Sequence, residues 1–194
     1  MVASHVLRVL VFALFVVPAV AIGAQRTAPA PFDPEYVAVS RFLTAVDEYV
    51  VQHHRLFEPL SEEFMCLPED TIAVLNALAD VPREARPAPR EGEIFSPEVA
   101  NLFRRRIAET LHGSEYNRAD LLAEMDVEDP VAPPIVVNEP LPKGIGHVML
   151  PWLAGALPVL PEELAYRLVG RDLVLIDIES NLIVDVIRAA LPLH

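Results

Sequence analysis

The sequence predicts an α+β fold in which N-terminal amphipathic helices pack with a small C-terminal three-stranded antiparallel meander. Between residues 35 and 128, apolar residues recur every three or four positions, as on one face of a helix. Between residues 162 and 188, they form short β-branched and leucine-rich runs separated by turn residues. A proline-rich connection, residues 129–161, joins the two parts. We expect residues 35–194 to form a single domain.

The first 24 residues have the pattern of a signal peptide. A basic start, Met1 to Arg8, leads into the apolar segment Val9 to Ile22, which is shorter than the roughly 20 residues that span a bilayer. We therefore expect the mature protein to be periplasmic or extracellular, with no membrane span after cleavage. Residues 25–34 contain several prolines and are predicted to be an extended N-terminus.

The charge of the chain excludes nucleic acid as a partner, and its cysteine content excludes an internal disulfide. The chain has 28 acidic and 15 basic residues and a formal net charge of −13, so it repels nucleic acid, which we exclude as a partner. Cys66 is the single cysteine of the sequence, which rules out a disulfide within the chain. Its neighbours are apolar, and an inert buried thiol is predicted.

Two helices are predicted before the arginine- and proline-rich segment 82–92, which we expect to be an exposed linker. The first carries an apolar stripe from Glu35 to Phe57. The second begins near Ser61 or Pro68 and ends before Pro82, because proline does not fit the interior of a helix.

Two more helices are predicted after the linker. The third has Ser96 as its hydroxyl cap and Gly113 as a left-handed residue at its end. A shorter fourth helix runs from Asn117 through Met125.

The connection 129–161 is predicted to contain one or two turns of helix between Met149 and Ala156. A long loop of this kind is often functional, but its apolar residues also suit a lid that lies over the core. The residues of this predicted lid are Ile135, Val136, Val137, Leu150, Trp152 and Leu153.

Three strands are predicted in the meander, with two-residue turns at Gly170-Arg171 and Ser180-Asn181. This register places one set of apolar side chains on a common face: Tyr166, Leu168, Leu173, Leu175, Leu182, Val184 and Val186. Arg167, Asp172 and Asp185 fall on the opposite face. A sheet of this size needs a covering layer, which the amphipathic helices can supply.

The run LPEELAYRLVGRDLVLID, from Leu160 to Asp177, and its continuation from Asn181 to Asp185 resemble the ending of a group of uncharacterised bacterial exported proteins. The same segment is more distantly similar to the C-terminal hairpin of RcnB-type periplasmic proteins, which are associated with nickel and cobalt homeostasis. The shared pattern is a Leu-Pro start, a Tyr-Arg strand and a Leu-x-Asp strand. The resemblance implies export and a C-terminal hairpin.

His53, His54 and Glu58 are the candidate metal ligands. His54 and Glu58 are four residues apart on a predicted helix, a spacing that places two ligands on one face. Alternatively, the two histidines bind no metal and are structural, with His53 at the edge of the apolar stripe and His54 at its rim. A third ligand has to come from a distant residue: His112, Glu115, His147 or Cys66.

Other chemistry has weaker support in the sequence. His112 precedes Gly113-Ser114, but a helix end followed by a turn explains this triplet without catalysis. The segment Lys143 to His147, KGIGH, lacks the spacing of a phosphate-binding loop, and a hinge explains its glycines.

Two functions follow from these observations. The first is an exported, non-catalytic binding or accessory protein whose partner is an unknown protein or small ligand. The second is a metal-dependent or hydrolytic enzyme that uses His53, His54 and Glu58. No catalytic residue or cofactor is predicted for the first, and a divalent metal is the cofactor considered for the second.

Overall fold

The computed structural model describes residues 33–58, 80–113, 121 and 134–192. All of them lie in one compact unit, Phe32–His194. The predicted signal peptide, most of the extended N-terminus, the predicted second helix up to residue 79 and Cys66 lie outside the described residues, as does the predicted fourth helix except for Leu121.

Helix α1, Pro34–Phe57, contains the predicted first stripe. Its N-cap is Asp33, whose carboxylate accepts a hydrogen bond of 2.9 Å from the amide of Glu35. Its buried side chains recur every three or four residues, because that spacing returns to the same face of a helix. They are Ala38, Phe42, Val46, Tyr49, His53 and Phe57.

Helix α2, Pro97–His112, corresponds to the predicted third helix. Ser96 caps it as predicted, and its hydroxyl accepts a 3.4 Å hydrogen bond from the amide of Val99. The prediction for its end is wrong, because Gly113 has a φ of −88°, which is not left-handed. The amide of Gly113 instead donates to the Glu109 carbonyl and continues the helical hydrogen bonding.

Residues 80–85 are helical, so the prediction that a helix ends before Pro82 is wrong. Proline lacks a backbone N–H, but its carbonyl remains an acceptor, and the amide of Arg86 donates to the Pro82 carbonyl at 3.1 Å. The predicted linker is also attached to the sheet at its end, where the amide of Gly92 donates to Asp185 at 2.8 Å.

The prediction of an α+β fold is confirmed, but the sheet has four strands rather than three. Their antiparallel order is β1-β2-β3-β4, where β1 is His147–Val148, β2 is Leu164–Val169, β3 is Asp172–Asp177 and β4 is Leu182–Ile187. Strand β1 pairs with the edge of β2 and has two residues, too few to produce an alternating pattern in the sequence. A short helix, α3, Pro151–Ala154, confirms the predicted helical turn.

Both faces of the sheet are covered. The first face packs on α1 and α2 through Tyr166, Leu168, Leu173, Leu175, Val184 and Ile187. The second packs on the proline-rich connection through Val169, Val174, Ile176, Ile183 and Val186. The predicted lid is confirmed in part, because Ile135 is buried on the second face and Leu153 in the helical core, whereas Val136 is 49% exposed.

A β-bulge changes the register predicted for β4. The Gly170-Arg171 turn has two residues as predicted, but Asp177 pairs with Leu182, so four residues connect β3 to β4. The bulge then pairs Asp185 with Leu175, on the face that packs against the helices, while Val186 lies on the second face. The predicted faces of Asp185 and Val186 are therefore wrong, because an extra residue reverses the alternation.

Candidate binding cleft

An open cleft of about 590 Å³ lies where the end of α1 meets the start of β2 and the turn after β3. Histidine and glutamate side chains make up most of its lining. The described residues that line it are His53, His54, Phe57, Glu58, Glu162, Glu163, Ile178 and Glu179.

Helical spacing places the α1 residues of this cleft. Tyr49, His53 and Phe57 are four residues apart and lie on the buried face of α1. The ring of His53 stacks on the ring of Phe57, with a centroid separation of 4.4 Å. His54 and Glu58 also line the cleft, and the side chain of His54 is 60% exposed.

Asp177, at the end of β3, fixes His53 from the buried side. Its Oδ2 atom accepts a hydrogen bond of 2.9 Å from the Tyr49 hydroxyl and lies 2.8 Å from Nδ1 of His53. Its Oδ1 atom accepts a bond of 2.9 Å from the amide of Ser180. On the other side of the imidazole ring, Nε2 lies 3.2 Å from Oε2 of Glu179, whose side chain is half exposed. The imidazole is thus held between a buried and an accessible carboxylate.

These contacts set the protonation states of Asp177, Tyr49 and His53. Burial raises the pKa of the Asp177 carboxyl, but hydrogen bonds from His53, the Ser180 amide and Tyr49 outweigh burial and hold that pKa below its usual value. Burial, reinforced by the charge of Asp177, raises the pKa of the Tyr49 phenol. Asp177 is therefore an ionised acceptor, Tyr49 donates its proton to it, and Nδ1 of His53 donates as well.

The pKa of His53 is raised above its usual value. Burial alone lowers this pKa, but the hydrogen bond to Asp177 and the negative charges of Asp177, Glu179 and Glu163 outweigh burial. His53 therefore keeps its second proton to a higher pH than a histidine in water.

A second histidine and glutamate pair forms another part of the cleft. Nε2 of His54 hydrogen bonds to Oε1 of Glu163. Burial raises the pKa of Glu163, but hydrogen bonds from its own amide and from His54 hold this pKa below its usual value. Its other oxygen, Oε2, is buried and has no hydrogen-bond partner among the described residues. Buried polar atoms are normally hydrogen bonded, so this oxygen has the capacity to accept a further donor.

The structure brings the three candidate metal ligands, His53, His54 and Glu58, to one cleft. Of the candidates for a third ligand, His112 and His147 are not among the residues that line it, and Glu115 and Cys66 lie outside the described residues. Within the described ranges, no group of three or more histidine, cysteine, aspartate or glutamate residues has an arrangement that could hold a metal ion. Metal binding stays a prediction.

Sequence reasoning missed Asp177, Glu163 and Glu179 as partners of the histidines. The signal in the sequence that could have found them was their position. Glu163 precedes one predicted strand, and Asp177 and Glu179 lie at the end of the next. A hairpin brings these two strand ends to one edge of the sheet.

A comparison of the chain with protein-family models found no match, and neither did searches of curated proteins and of solved structures. Among the helices of the described ranges, none combines the length and the apolar character needed to cross a membrane. The fold and the cleft thus define an α+β protein with an acidic, histidine-containing cleft at the junction of its two layers.

We expect the protein to lose stability as the pH rises from about 6.5, the ordinary pKa of histidine, through the raised pKa of His53. The folded state binds this proton more tightly than the unfolded state. The stabilisation is therefore complete below the ordinary pKa and is lost above the raised one. Denaturant unfolding of the wild type and His53→Gln over this pH range measures the effect.

A matched control for this pH dependence is His112→Gln, because His112 is exposed and is not among the residues that line the cleft. This variant is expected to keep the slope of the wild type, whereas His53→Gln is expected to flatten it. An identical slope in all three proteins contradicts the assignment.

Proposed function

We propose that the chain is an exported, non-catalytic binding protein and that its acidic cleft binds an organic cation with an apolar stem. The observation that carries the proposal is the buried oxygen Oε2 of Glu163, which has no hydrogen-bond partner among the described residues and belongs to a cleft lined by four glutamates. An ammonium or guanidinium group supplies donors for such an oxygen.

The two histidines leave the cleft with excess negative charge. His53 contacts Asp177 and Glu179, and His54 contacts Glu163, so three carboxylates share two imidazoles. Even when both histidines are protonated, the cleft has a negative balance. A cationic ligand neutralises this excess negative charge, whereas an anion is repelled.

The apolar part of the lining defines the rest of the ligand. Phe57 forms one wall beside the His53 ring, and Ile178, which is 52% exposed, lies in the turn that follows β3. The aliphatic stem of a lysine side chain fits such surroundings while its charged end reaches the carboxylates. We infer that the ligand is a basic segment of a peptide or protein.

Export rests on the sequence. The basic start and the apolar segment Val9 to Ile22 support a signal peptide. The resemblance of the C-terminal segment to exported bacterial proteins supports the same location, in the periplasm or outside the cell.

The test is calorimetric titration of the protein with the capped peptide acetyl-Lys-Lys-Lys-amide. We expect saturable binding that the double variant Glu163→Gln/Glu179→Gln weakens by about tenfold or more, because two charge-assisted contacts are lost. The same peptide with its side-chain amines acetylated has no charge and is expected not to bind.

The matched control is Glu48→Gln/Glu84→Gln, which removes the same charge from exposed glutamates outside the cleft. Its affinity is expected to stay within about twofold of the wild type, because exposed charges at a distance are screened. Equal weakening in both double variants indicates attraction by the net charge alone and contradicts a specific cleft. Thermal unfolding of each variant verifies that it is folded.

A second candidate is the metal-dependent or hydrolytic enzyme that uses His53, His54 and Glu58. The pairing of Asp177 with Nδ1 of His53 supports it, because a buried carboxylate orients the ring of a catalytic or metal-binding histidine in this way. The described lining of the cleft contains no serine, threonine or cysteine, and water is the nucleophile that this candidate uses. Stabilisation of the wild type, but not of His53→Gln, by excess zinc, nickel or cobalt in thermal unfolding favours this candidate.

A further inference from the structure

A second cleft of about 590 Å³ lies beside the second face of the sheet, against the loop of residues 140–145. It is separate from the acidic cleft, although Ile178 lines both. Its described lining is Pro140, Leu141, Pro142, Lys143, Gly144, Ile145, Arg167, Ile176, Ile178, Ser180 and Asn181.

The charge of this cleft is opposite to that of the chain. Lys143, the one lysine of the sequence, and Arg167 of β2 line it, and no carboxylate is among its described lining residues. Neither cation forms an ion pair with any residue in the described ranges, and Nη1 of Arg167 donates to the carbonyl of the preceding Tyr166. An anion that enters this cleft therefore meets two cations and no carboxylate of the described lining.

An unsatisfied hydroxyl lies among the same residues. Ser180 is 1% exposed and lines the cleft, and its Oγ atom is buried with no hydrogen-bond partner in the described part of the chain. Buried polar groups are normally hydrogen bonded, and a hydroxyl of this lining that has no partner can donate to a ligand oxygen.

The loop that forms one side of the cleft is held in place before any ligand binds. The amide of Leu141 donates to the Asn181 carbonyl at 2.8 Å, and Nδ2 of Asn181 donates to the Leu141 carbonyl at 2.7 Å. The amide of Ile145 closes a turn onto the Pro142 carbonyl, with Gly144 at a φ of +76°, where glycine is favoured. Such preorganisation reduces the entropy lost on binding.

We propose that this cleft binds an organic anion, that is, an oxyanion group on an apolar body, through Lys143 and Arg167. The oxyanion contacts the two cations and the Ser180 hydroxyl. Its apolar body lies against Ile145, Ile176 and Pro142. The two cations of this site are not among the residues that line the acidic cleft.

The experiment is calorimetric titration of the full chain with octanoate, octyl phosphate, octanol and inorganic phosphate, each below its micelle concentration where it forms micelles. We expect octanoate or octyl phosphate to bind with saturation, and the tighter of the two identifies the oxyanion as a carboxylate or a phosphate. Octanol lacks the charge and inorganic phosphate lacks the apolar body, so both are expected to bind about tenfold more weakly or not at all.

The variant Lys143→Gln/Arg167→Gln is expected to weaken binding of the anion by about tenfold or more. The matched control, Arg41→Gln/Arg90→Gln, removes two exposed cations that do not line this cleft, and its affinity is expected to stay within about twofold. Lys143→Gln alone, at an exposed position, provides a variant that folds even if the change at Arg167 disturbs β2.

Three results would overturn the proposal. They are octanol binding as tightly as octanoate, equal affinity of the Lys143→Gln/Arg167→Gln and control variants, and no saturable binding of either organic anion. Binding of the lysine peptide to the acidic cleft is measured separately, so failure at one cleft leaves the result at the other intact.

Discussion

We expect Asp185→Ala to lower the free energy of unfolding by about 3–5 kcal/mol, because it removes the acceptor of several buried amides. The carboxylate of Asp185 is fully buried and accepts hydrogen bonds of 2.8 Å from the amides of Gly92, Ile94 and Phe95. Oδ1 also accepts a 2.8 Å bond from the amide of Val186. These bonds attach the segment before α2 to β4.

The reason for this large effect is desolvation. A buried amide that loses its acceptor has no water to replace it, and each such group costs about 1–3 kcal/mol. Because the amides share one carboxylate, the losses do not simply add. Asp185→Asn retains one oxygen and is expected to lose about half as much.

Denaturant unfolding measures the change, with Asp47→Ala as its control. Asp47 is exposed on α1, and its replacement is expected to alter the free energy of unfolding by less than about 0.5 kcal/mol. Equal stabilities of Asp185→Ala and Asp47→Ala would mean that the buried carboxylate does not hold the segment.

We expect Asp177→Ala to lower the free energy of unfolding by about 3–5 kcal/mol near pH 6, where His53 is largely protonated. Asp177 is fully buried and joins Tyr49 and His53 of α1 to the end of β3. Its removal leaves a protonated imidazole buried without its main counter-charge. The effect is expected to diminish as the pH rises through the raised pKa of His53, because a neutral ring needs that counter-charge less.

The matched control is Glu179→Ala, which removes the other carboxylate beside His53. Its side chain is 50% exposed and its oxygen is 3.2 Å from Nε2 of the ring. Exposed pairs contribute little, so the expected loss is below about 1 kcal/mol. Denaturant unfolding at pH 6 and pH 9 separates the two variants. A loss at Glu179→Ala as large as that at Asp177→Ala contradicts the role of burial.

Local patterns were sufficient to predict α1, the start of α2 and the first turn of the meander. The stripe of α1 and the Ser96 cap of α2 depend on neighbours within a few residues, and the Gly170-Arg171 turn has the length that its sequence favours. The faces of β4 could not be predicted, because the bulge beside Leu175 depends on how the whole strand pairs.

The candidate site was predicted in part. The spacing of His53, His54 and Glu58 placed them near one another, since all three belong to one end of α1. Their partners could not be predicted, because Asp177 is 124 residues from His53, and Glu163 is 109 residues from His54. Those contacts depend on the packing of the helix on the sheet, which no local pattern specifies.

The most direct test of the acidic cleft is nuclear magnetic resonance of the histidine side chains during titration with acetyl-Lys-Lys-Lys-amide. The proposed function predicts that the imidazole signals of His53 and His54 shift with the same saturation curve, while those of His112, outside the cleft, stay in place. Unchanged signals of His53 and His54 at a peptide concentration that saturates binding would contradict it.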